Sequence, residues 1–409
     1  MPIAAESLAG QISTLAASAG IREAIEWVRK ERAWINEQHL KLCRIAAPTF
    51  FEEKRAAWMA DRFRALGWDA KVDRAGNVIA TLAGRRDRAL IAVTAHLDTV
   101  LAPRTPEEIR ISGDGKLSGP GVSDNGAGLT ALLALAALWQ HAGPFEDAPM
   151  LIANVGEEGE GNLSGMRYLC RAKGSLPRAF LVLDGPSLDH ITSQALASRR
   201  FEVTFTGPGG HSWSDYGTPN PVHALSRVVT LFGDAFGDEP GTAKSSFNFG
   251  VIEGGASINS IPNEARAKLD LRSESAQRLD ELAALLNTTV ARAAEIENAR
   301  GDRGGPRGMG RVIGRTKEIG SRPGGGLSED APLLAAIRAV DAHLGIRSHL
   351  DCSSTDANVP LSLGIPAVSI GVGGQGGGAH TTAEWYLPEG RELGLRRLLL
   401  TLGVLLQSE

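Results

Sequence analysis

A histidine and a carboxylate two residues apart end an apolar run at residues 90–98. The run is short and rich in β-branched residues, which predicts a buried strand of a parallel sheet. In open α/β sheets, ligands bind beyond the carboxyl ends of the strands. At that place His96 could bind a metal ion, and Asp98 could accept a hydrogen bond from its ring and fix its tautomer. A capped strand end with a surface histidine would show the same pattern, so the pair needs support from elsewhere in the chain.

Acidic residues or a histidine recur at comparable places further along the chain. Two more apolar runs, at 150–155 and 180–183, are followed by carboxylates. A further carboxylate lies in a glycine-rich stretch that precedes an apolar helix. A last histidine lies in a glycine loop after a predicted strand. The residues concerned are Asp124, Glu157, Glu158, Asp184 and His380. Each alone could be a solvated loop residue, a helix cap or a turn residue, but their repetition favours a common site.

These side chains are suited to metal chemistry. Two imidazoles with several carboxylates favour zinc, cobalt or manganese. A single catalytic zinc needs three protein ligands and a water, so a larger set of candidates indicates two ions that share one bridging carboxylate. Successive residues that leave a strand point in different directions. One of Glu157 and Glu158 could therefore bind metal while the other serves as general base. A nucleotide loop at 119–128 is disfavoured, because that stretch has neither GxGxxG nor the lysine of a P-loop.

The elements that would position these residues alternate along the chain and predict an α/β fold with a mostly parallel sheet. Outside the middle of the chain, the pattern predicts helices at 21–46, 51–66, 330–344, 391–406 and from Leu129, a hairpin at 71–82, and strands at 90–98, 150–155, 180–183 and 367–371. In the middle it predicts strands at 199–206, 247–252, 265–271 and 311–319 and helices at 221–232 and 273–299. Their order, β-α-β-β-α-β, indicates a small α+β domain. We therefore predict a catalytic domain in two segments, 1–194 and 321–409, with an inserted domain at 195–320.

The composition disfavours several other classes of protein. Lys+Arg 43 against Asp+Glu 47 gives a formal net charge of −4, and only 5% of residues are aromatic, so nothing indicates nucleic-acid binding. Three separated cysteines without CxxC or CxxH disfavour a disulfide framework and a thiolate zinc site. Residues 1–20 lack the basic start and long apolar core of a signal peptide, and the longest apolar run is too short to cross a membrane. We therefore expect a cytoplasmic protein that does not contact membranes.

The sequence resembles the M20 family of metallopeptidases, and within that family its motifs most resemble those of the peptidase T-like branch. The matching stretches follow the family's order and span nearly the whole chain: TAHLD at 94–98, GVSD at 121–124, GEEG at 156–159, LDG at 183–185, GGHS at 209–212, INSIP at 258–262 and the loop at His380. The resemblance implies a di-metal hydrolase with two divalent ions per chain, zinc first, with cobalt or manganese as alternatives. It also implies that the inserted domain is a lid through which two chains form a homodimer.

The resemblance implies a role for each candidate residue. His96 and Asp184 would hold one ion, Glu158 and His380 the other, and Asp124 would bridge them. Asp98 would orient His96, and Glu157 would be the general base.

Three residues of the inserted domain also match the family. His211 would stabilise the developing oxyanion, often from across a dimer. Asn259 and Arg272 would hold the backbone or the terminal carboxylate of the substrate, and the planar guanidinium of arginine is suited to a carboxylate.

The resemblance says less about the substrate. An aspartate at position 184 resembles the di- and tripeptidases of the family, whereas deacylases and carboxypeptidase-like members carry glutamate there. The stretch STDA at 354–357 also resembles the peptidase T-like pattern, with serine where glycine is expected. We therefore predict an aminopeptidase of small peptides. An N-acyl or N-carbamoyl amino-acid amidohydrolase is the alternative within the family. Other di-zinc aminopeptidase families fit part of the pattern, and a catalytically silent scaffold would have lost a ligand or the base, whereas all seven residues are present.

Overall fold

The computed structural model describes residues 7–82, 91–141, 147–171, 176–237, 243–304 and 310–407. These residues divide into two compact units. One contains the chain up to Ala195 and again from Gly325, and the other contains Leu196–Gly324. The predicted domain boundaries, 194/195 and 320/321, lie close to these divisions. Position 90, the first residue of the strand predicted at 90–98, is outside the described residues.

The first segment of the first unit holds most of its helices. Its elements are α1 (Leu8–Ala17), α2 (Ala19–Lys30), α3 (Arg32–Cys43), α4 (Glu53–Ala65), β1 (Asp69–Val72), β2 (Val78–Thr81), β3 (Ile91–His96), β4 (Arg110–Ile111), β5 (Leu117–Ser118), α5 (Gly126–His141), β6 (Met150–Asn154), α6 (Ser164–Arg171), β7 (Ala179–Leu183) and β8 (His190–Ala195). The single helix predicted at 21–46 is two helices that meet at Glu31, where Trp27 and Trp34 pack edge to face with centroids 5.8 Å apart. Glutamate is a good helix former, so the sequence around this break does not indicate it.

The second unit is built from long antiparallel strands and two helices. Its elements are β9 (Ala197–Thr206), β10 (Gly210–His211), α7 (Pro221–Ala235), β11 (Ser245–Gly254), β12 (Ser260–Ile261), β13 (Glu264–Ser273), α8 (Ala276–Gly304) and β14 (Ile313–Arg322). The four long strands form a sheet in the order β11-β13-β9-β14, and β10 pairs with β12 in a separate ribbon. Alternate residues of β9 (Phe201, Val203 and Phe205) are buried with those of β13 and the apolar face of α8, as a period of two requires. The predicted β-α-β-β-α-β order is confirmed for the long strands.

The second segment of the first unit completes its sheet. Its elements are β15 (Gly325–Gly326), α9 (Pro332–Leu344), β16 (His349–Ser353), α10 (Asn358–Ser362), β17 (Ala367–Ile370), β18 (Gln375–Gly377), β19 (Trp385–Leu387) and α11 (Arg391–Gln407). The strands β8 and β16 were not predicted, because both carry polar residues among the apolar ones and neither forms a continuous apolar run. Among the helices in the described ranges, none combines the length and apolar character that crossing a bilayer requires.

The main sheet has the order β1-β2-β6-β3-β7-β17-β8-β15, with β16 beside β8. Its four central strands, β6, β3, β7 and β17, are mutually parallel. Every residue of β3 is buried, and alternate residues belong to clusters on opposite faces, with Val93 and Ala95 in one and Ala92 in the other. The predicted mostly parallel α/β fold is therefore confirmed. Because these strands are parallel, the residues that follow them emerge at one edge of the sheet.

Candidate metal centre

His96 is the last residue of β3 and is buried. Its Nδ1 lies 2.9 Å from the backbone oxygen of Asp98, while its Nε2 lies 3.1 Å from Oδ1 of Asp124 and 4.0 Å from Oδ1 of Asp184. One ring nitrogen thus contacts the histidine's own loop, and the other faces carboxylates. Burial lowers the pKa of His96, but the hydrogen bonds to Asp124 and Asp98 outweigh it and raise that pKa well above its usual value.

Asp98 is buried and supports more than the neighbouring histidine. Its Oδ1 lies 3.5 Å from Nδ1 of His96. Its carboxylate accepts hydrogen bonds from the hydroxyl of Thr49 at 2.9 Å and from the backbone N–H groups of Glu157 at 3.0 Å and Glu158 at 2.9 Å. Burial raises the pKa of Asp98, but the hydrogen bond and charge of His96 and these N–H donors leave it below its usual range. The side chain therefore holds the backbone of the Glu157–Glu158 pair, which the sequence did not indicate.

Asp124 turns its two carboxylate oxygens towards different histidines. Its Oδ1 lies 3.1 Å from Nε2 of His96, and its Oδ2 lies 3.1 Å from Nε2 of His380. The same nitrogen of His380 lies 3.0 Å from Oε1 of Glu158. Burial raises the pKa of Asp124, but its hydrogen bonds to the two histidines hold that pKa below its usual range. The hydrogen bond to Asp124, opposed by partial burial and assisted by the charge of Glu158, raises the pKa of His380 to about 9.

The adjacent glutamates follow β6 through Gly156, whose φ of +65° is a conformation that glycine adopts without strain. Both glutamate side chains are buried. Burial and the negative charge of Glu157 raise the pKa of Glu158. Carboxylates crowded in this way favour a nearby cation.

The structure brings all five predicted metal ligands together. Three groups of side chains have ligand atoms that all lie within 4.8 Å of one another: His96, Asp124 and Asp184; Asp124, Glu158 and His380; and His96, Glu157 and Glu158. The first two groups share Asp124 and match the two ligand sets that the family resemblance implies.

The residues fit two divalent cations. Four carboxylates and two imidazoles converge, and both histidines attract protons because the surrounding charge is negative. Histidine and carboxylate ligands bind metal in their deprotonated forms, so cations would take the place of these protons. The ligand types, nitrogen and oxygen, suit zinc, cobalt and manganese.

Three further ionisable residues are buried near the site, and the sequence predicted no role for them. Glu384 is buried and accepts hydrogen bonds from three backbone N–H groups of the loop that carries Asp124. Asp356 is buried, accepts a hydrogen bond of 2.6 Å from Nδ2 of Asn154, and has a pKa that burial and the charge of Glu157 raise. Arg55 is buried and donates to the backbone oxygen of Leu97 at 2.7 Å, directly after β3. The motif at 354–357 marked Asp356, but no local pattern marked the other two.

The predicted residues of the inserted domain lie in two places within the second unit. His211 is on β10, and the backbone N–H of Ser212 donates to the backbone oxygen of Asn259 at 3.0 Å. Nδ1 of His211 accepts backbone N–H groups at 3.2 and 3.3 Å, so the proton of a neutral ring lies on Nε2. Arg272 lies eight residues beyond the start of β13, roughly 26 Å along an extended strand. Its Nε donates to Asp270 at 2.7 Å. The structure thus brings His211 and Asn259 together and places Arg272 at the other end of β13.

Comparisons with known proteins identify the family to which the chain belongs. A model of peptidase family M20/M25/M40 matches residues 92–402. YqjE of Bacillus subtilis is 24% identical over 82% of this chain and 89% of its own length. Succinyl-diaminopimelate desuccinylase of Paracoccus denitrificans is 28% identical over 63% of this chain and 71% of its own length.

A solved structure shows the same fold. The aminopeptidase PepT of Bacillus cereus superimposes with a TM-score of 0.70 at 19% identity, covering 90% of this chain and 97% of its own. The family match covers most of the chain, including every residue of the three ligand groups, and confirms the resemblance seen in the sequence. The chain therefore belongs to peptidase family M20/M25/M40 and is a hydrolase of peptide or amide bonds.

Proposed function

We propose that the chain is a di-metal aminopeptidase that cleaves small peptides, with di- and tripeptides as its substrates. The position of Asp124 carries this proposal, because its two oxygens face His96 and His380 at 3.1 Å each and so belong to two ligand groups at once. A carboxylate shared in this way is the arrangement that aminopeptidases use to hold two ions. Zinc is our first choice, with cobalt or manganese as alternatives.

When bound, two such ions would polarise the scissile carbonyl and lower the pKa of the attacking water. Glu157 takes the proton of that water and returns it to the leaving amine. Asp98 accepts the backbone N–H of Glu157 at 3.0 Å and so fixes the start of its side chain. The proton on Nε2 of His211 is available to donate to the developing oxyanion. Asn259 and Arg272 would hold the substrate's backbone or terminal carboxylate, and because they lie far apart on the inserted domain, we propose that they do so from different chains of the homodimer.

A homodimer through the inserted domain is also part of the proposal. The strand β11 forms one edge of the four-stranded sheet of the second unit, and it exposes Val251 and Ile252. Exposed apolar edge strands are templates for pairing with another chain. Sedimentation at several concentrations tests this, and a monomer at all of them would remove the dimer. Cytoplasmic location stays a prediction from the sequence.

The alternative is an N-acyl or N-carbamoyl amino-acid amidohydrolase. The desuccinylase relative favours it, because a desuccinylase removes an acyl group. A catalytically silent scaffold is disfavoured, because every ligand and the proposed base are present and close together.

Ions bound per chain and hydrolysis of a substrate panel test the proposal. The panel contains di- and tripeptides, peptides with blocked amino termini, and N-acyl and N-carbamoyl amino acids, each before and after chelation. We expect close to two ions and chelator-sensitive cleavage of peptides with a free amine. Cleavage of N-acyl or N-carbamoyl amino acids alone would establish the amidohydrolase instead. A chain that binds no ion and hydrolyses nothing under any of the three metals would overturn both.

A further inference from the structure

Glu384 lies four residues beyond His380, directly before β19, and is only 2% exposed. The strand β19 pairs with β5, so that Trp385 lies opposite Ser118. The backbone oxygen of Glu384 accepts the N–H of Gly119 at 2.9 Å. The loop that begins at Gly119 leads directly to Asp124. The loop of His380 and the loop of Asp124 are therefore joined by a small sheet at one end of each.

The carboxylate of Glu384 makes a second and more direct connection. Its Oε2 accepts the backbone N–H of Gly121 at 2.7 Å, and its Oε1 accepts those of Ser123 at 2.7 Å and Asp124 at 2.8 Å. Three backbone donors of one short loop thus converge on one buried side chain. Hydrogen bonds to an ionised acceptor are shorter and stronger than those between neutral groups.

Asp124 is consequently held at both ends. Its backbone N–H is bound by Glu384, and its carboxylate oxygens contact His96 and His380. Glu384 and His380 belong to the same loop, which therefore reaches Asp124 from its backbone and from its side chain. A shift of this loop would move two ligands of the same group at once.

We propose that Glu384 is a positioning residue that fixes the bridging carboxylate of Asp124 relative to His380 and so sets the binding of the ion between Asp124, Glu158 and His380. This rests on the proposed two-ion function. All three backbone groups are donors, so the side chain at this position must offer an acceptor to each of them. A glutamine of the same shape must place its NH₂ against at least one of them, which leaves a buried N–H without an acceptor.

The test compares Glu384→Gln and Glu384→Asp with wild type by calorimetric titration of the chelated protein with Zn²⁺. The control is Glu297→Gln, since Glu297 is also buried and accepts one backbone N–H, from Asn220, but belongs to none of the three ligand groups. We expect Glu384→Gln to bind one of its two ions about 10–100-fold less tightly than wild type, the usual effect of removing a supporting contact of a ligand. We expect kcat to fall with KM little changed, and the control to titrate like wild type.

Several outcomes decide the proposal. Equal affinity for both ions in Glu384→Gln and wild type would overturn it, and so would equal losses in Glu384→Gln and the control. If Glu384→Gln does not fold, Glu384→Asp decides, because it keeps the charge but withdraws the carboxylate by one methylene. Unchanged ion binding in folded Glu384→Asp would then overturn the proposal, and weakened binding would support it. A wild-type chain that binds fewer than two ions would instead refute the two-ion function on which this role depends.

Discussion

Replacing Asp98 by asparagine changes one atom in the centre of the site. Besides its contact with Nδ1 of His96 at 3.5 Å, the carboxylate accepts three shorter hydrogen bonds, with Oδ1 bound by the N–H of Glu157 and Oδ2 bound by the N–H of Glu158 and the hydroxyl of Thr49. Asparagine keeps the shape of the side chain but turns one of these oxygens into a donor. The substitution therefore tests whether this carboxylate holds the Glu157–Glu158 backbone in place.

The size of the effect follows from these contacts. An NH₂ in place of Oδ1 leaves the N–H of Glu157 without its acceptor. An NH₂ in place of Oδ2 leaves that of Glu158 without one, although the hydroxyl of Thr49 can turn and accept. In either orientation one buried backbone donor is unsatisfied, which costs about 1–3 kcal/mol. The displaced backbone carries both the proposed base and a proposed ligand, so activity should fall about 10–100-fold.

Urea unfolding of the chelated protein and steady-state kinetics of the metal-loaded protein measure the two effects. Thr49→Val is the matched control, because it removes one donor to the same carboxylate but leaves both backbone N–H groups with their acceptor. We expect both variants to lose stability and only Asp98→Asn to lose much of its kcat. If Asp98→Asn and Thr49→Val had the same kcat, Asp98 would not act through the glutamate backbone and our reasoning would be wrong.

The remaining predictions concern the proposed base, one ligand, a buried histidine and a buried ion pair. Glu157→Ala should keep its ions and lose hydrolysis, which metal content and turnover of one preparation check; retained hydrolysis would exclude Glu157 as base. His380→Ala should lower the metal-to-protein ratio, and an unchanged ratio would count against its ligand role. Burial and a neighbouring guanidinium lower the pKa of His39 well below 6.5, so below that pH the unfolded chain binds a proton that the folded chain does not. The free energy of unfolding should therefore fall as the pH drops below this value, with a contribution of up to about 1.4 kcal/mol per pH unit that His39→Gln removes in urea titrations. Arg397→Met should cost about 3–5 kcal/mol in the same assay, because it leaves the buried carboxylate of Asp341 without its cationic partner, and adding Asp341→Leu should recover most of that loss.

Local patterns in the sequence were sufficient to predict the main architecture. The runs that became β3, β6 and β7 are short, apolar and followed by polar residues, and burial on both faces of a parallel sheet requires such runs. The two-residue period of β9 and the helical period of α8 indicated the second unit in the same way. Because parallel strands end at one edge of a sheet, the sequence also predicted that His96, Asp184 and the adjacent glutamates would meet.

Tertiary structure decided the contacts between distant residues. The sequence predicted that Asp98 would orient His96, and the folded chain adds hydrogen bonds from its carboxylate to the backbone of residues 59 and 60 positions away. The bonds from Glu384 to the Asp124 loop span 260 to 263 positions, and no local pattern around Glu384 indicates them. The spacing of apolar residues within one helix or strand indicates which of its faces is buried, and that spacing can be read from neighbouring positions along the chain. Which donor meets which acceptor depends on how separate loops pack, and only the folded chain determines that.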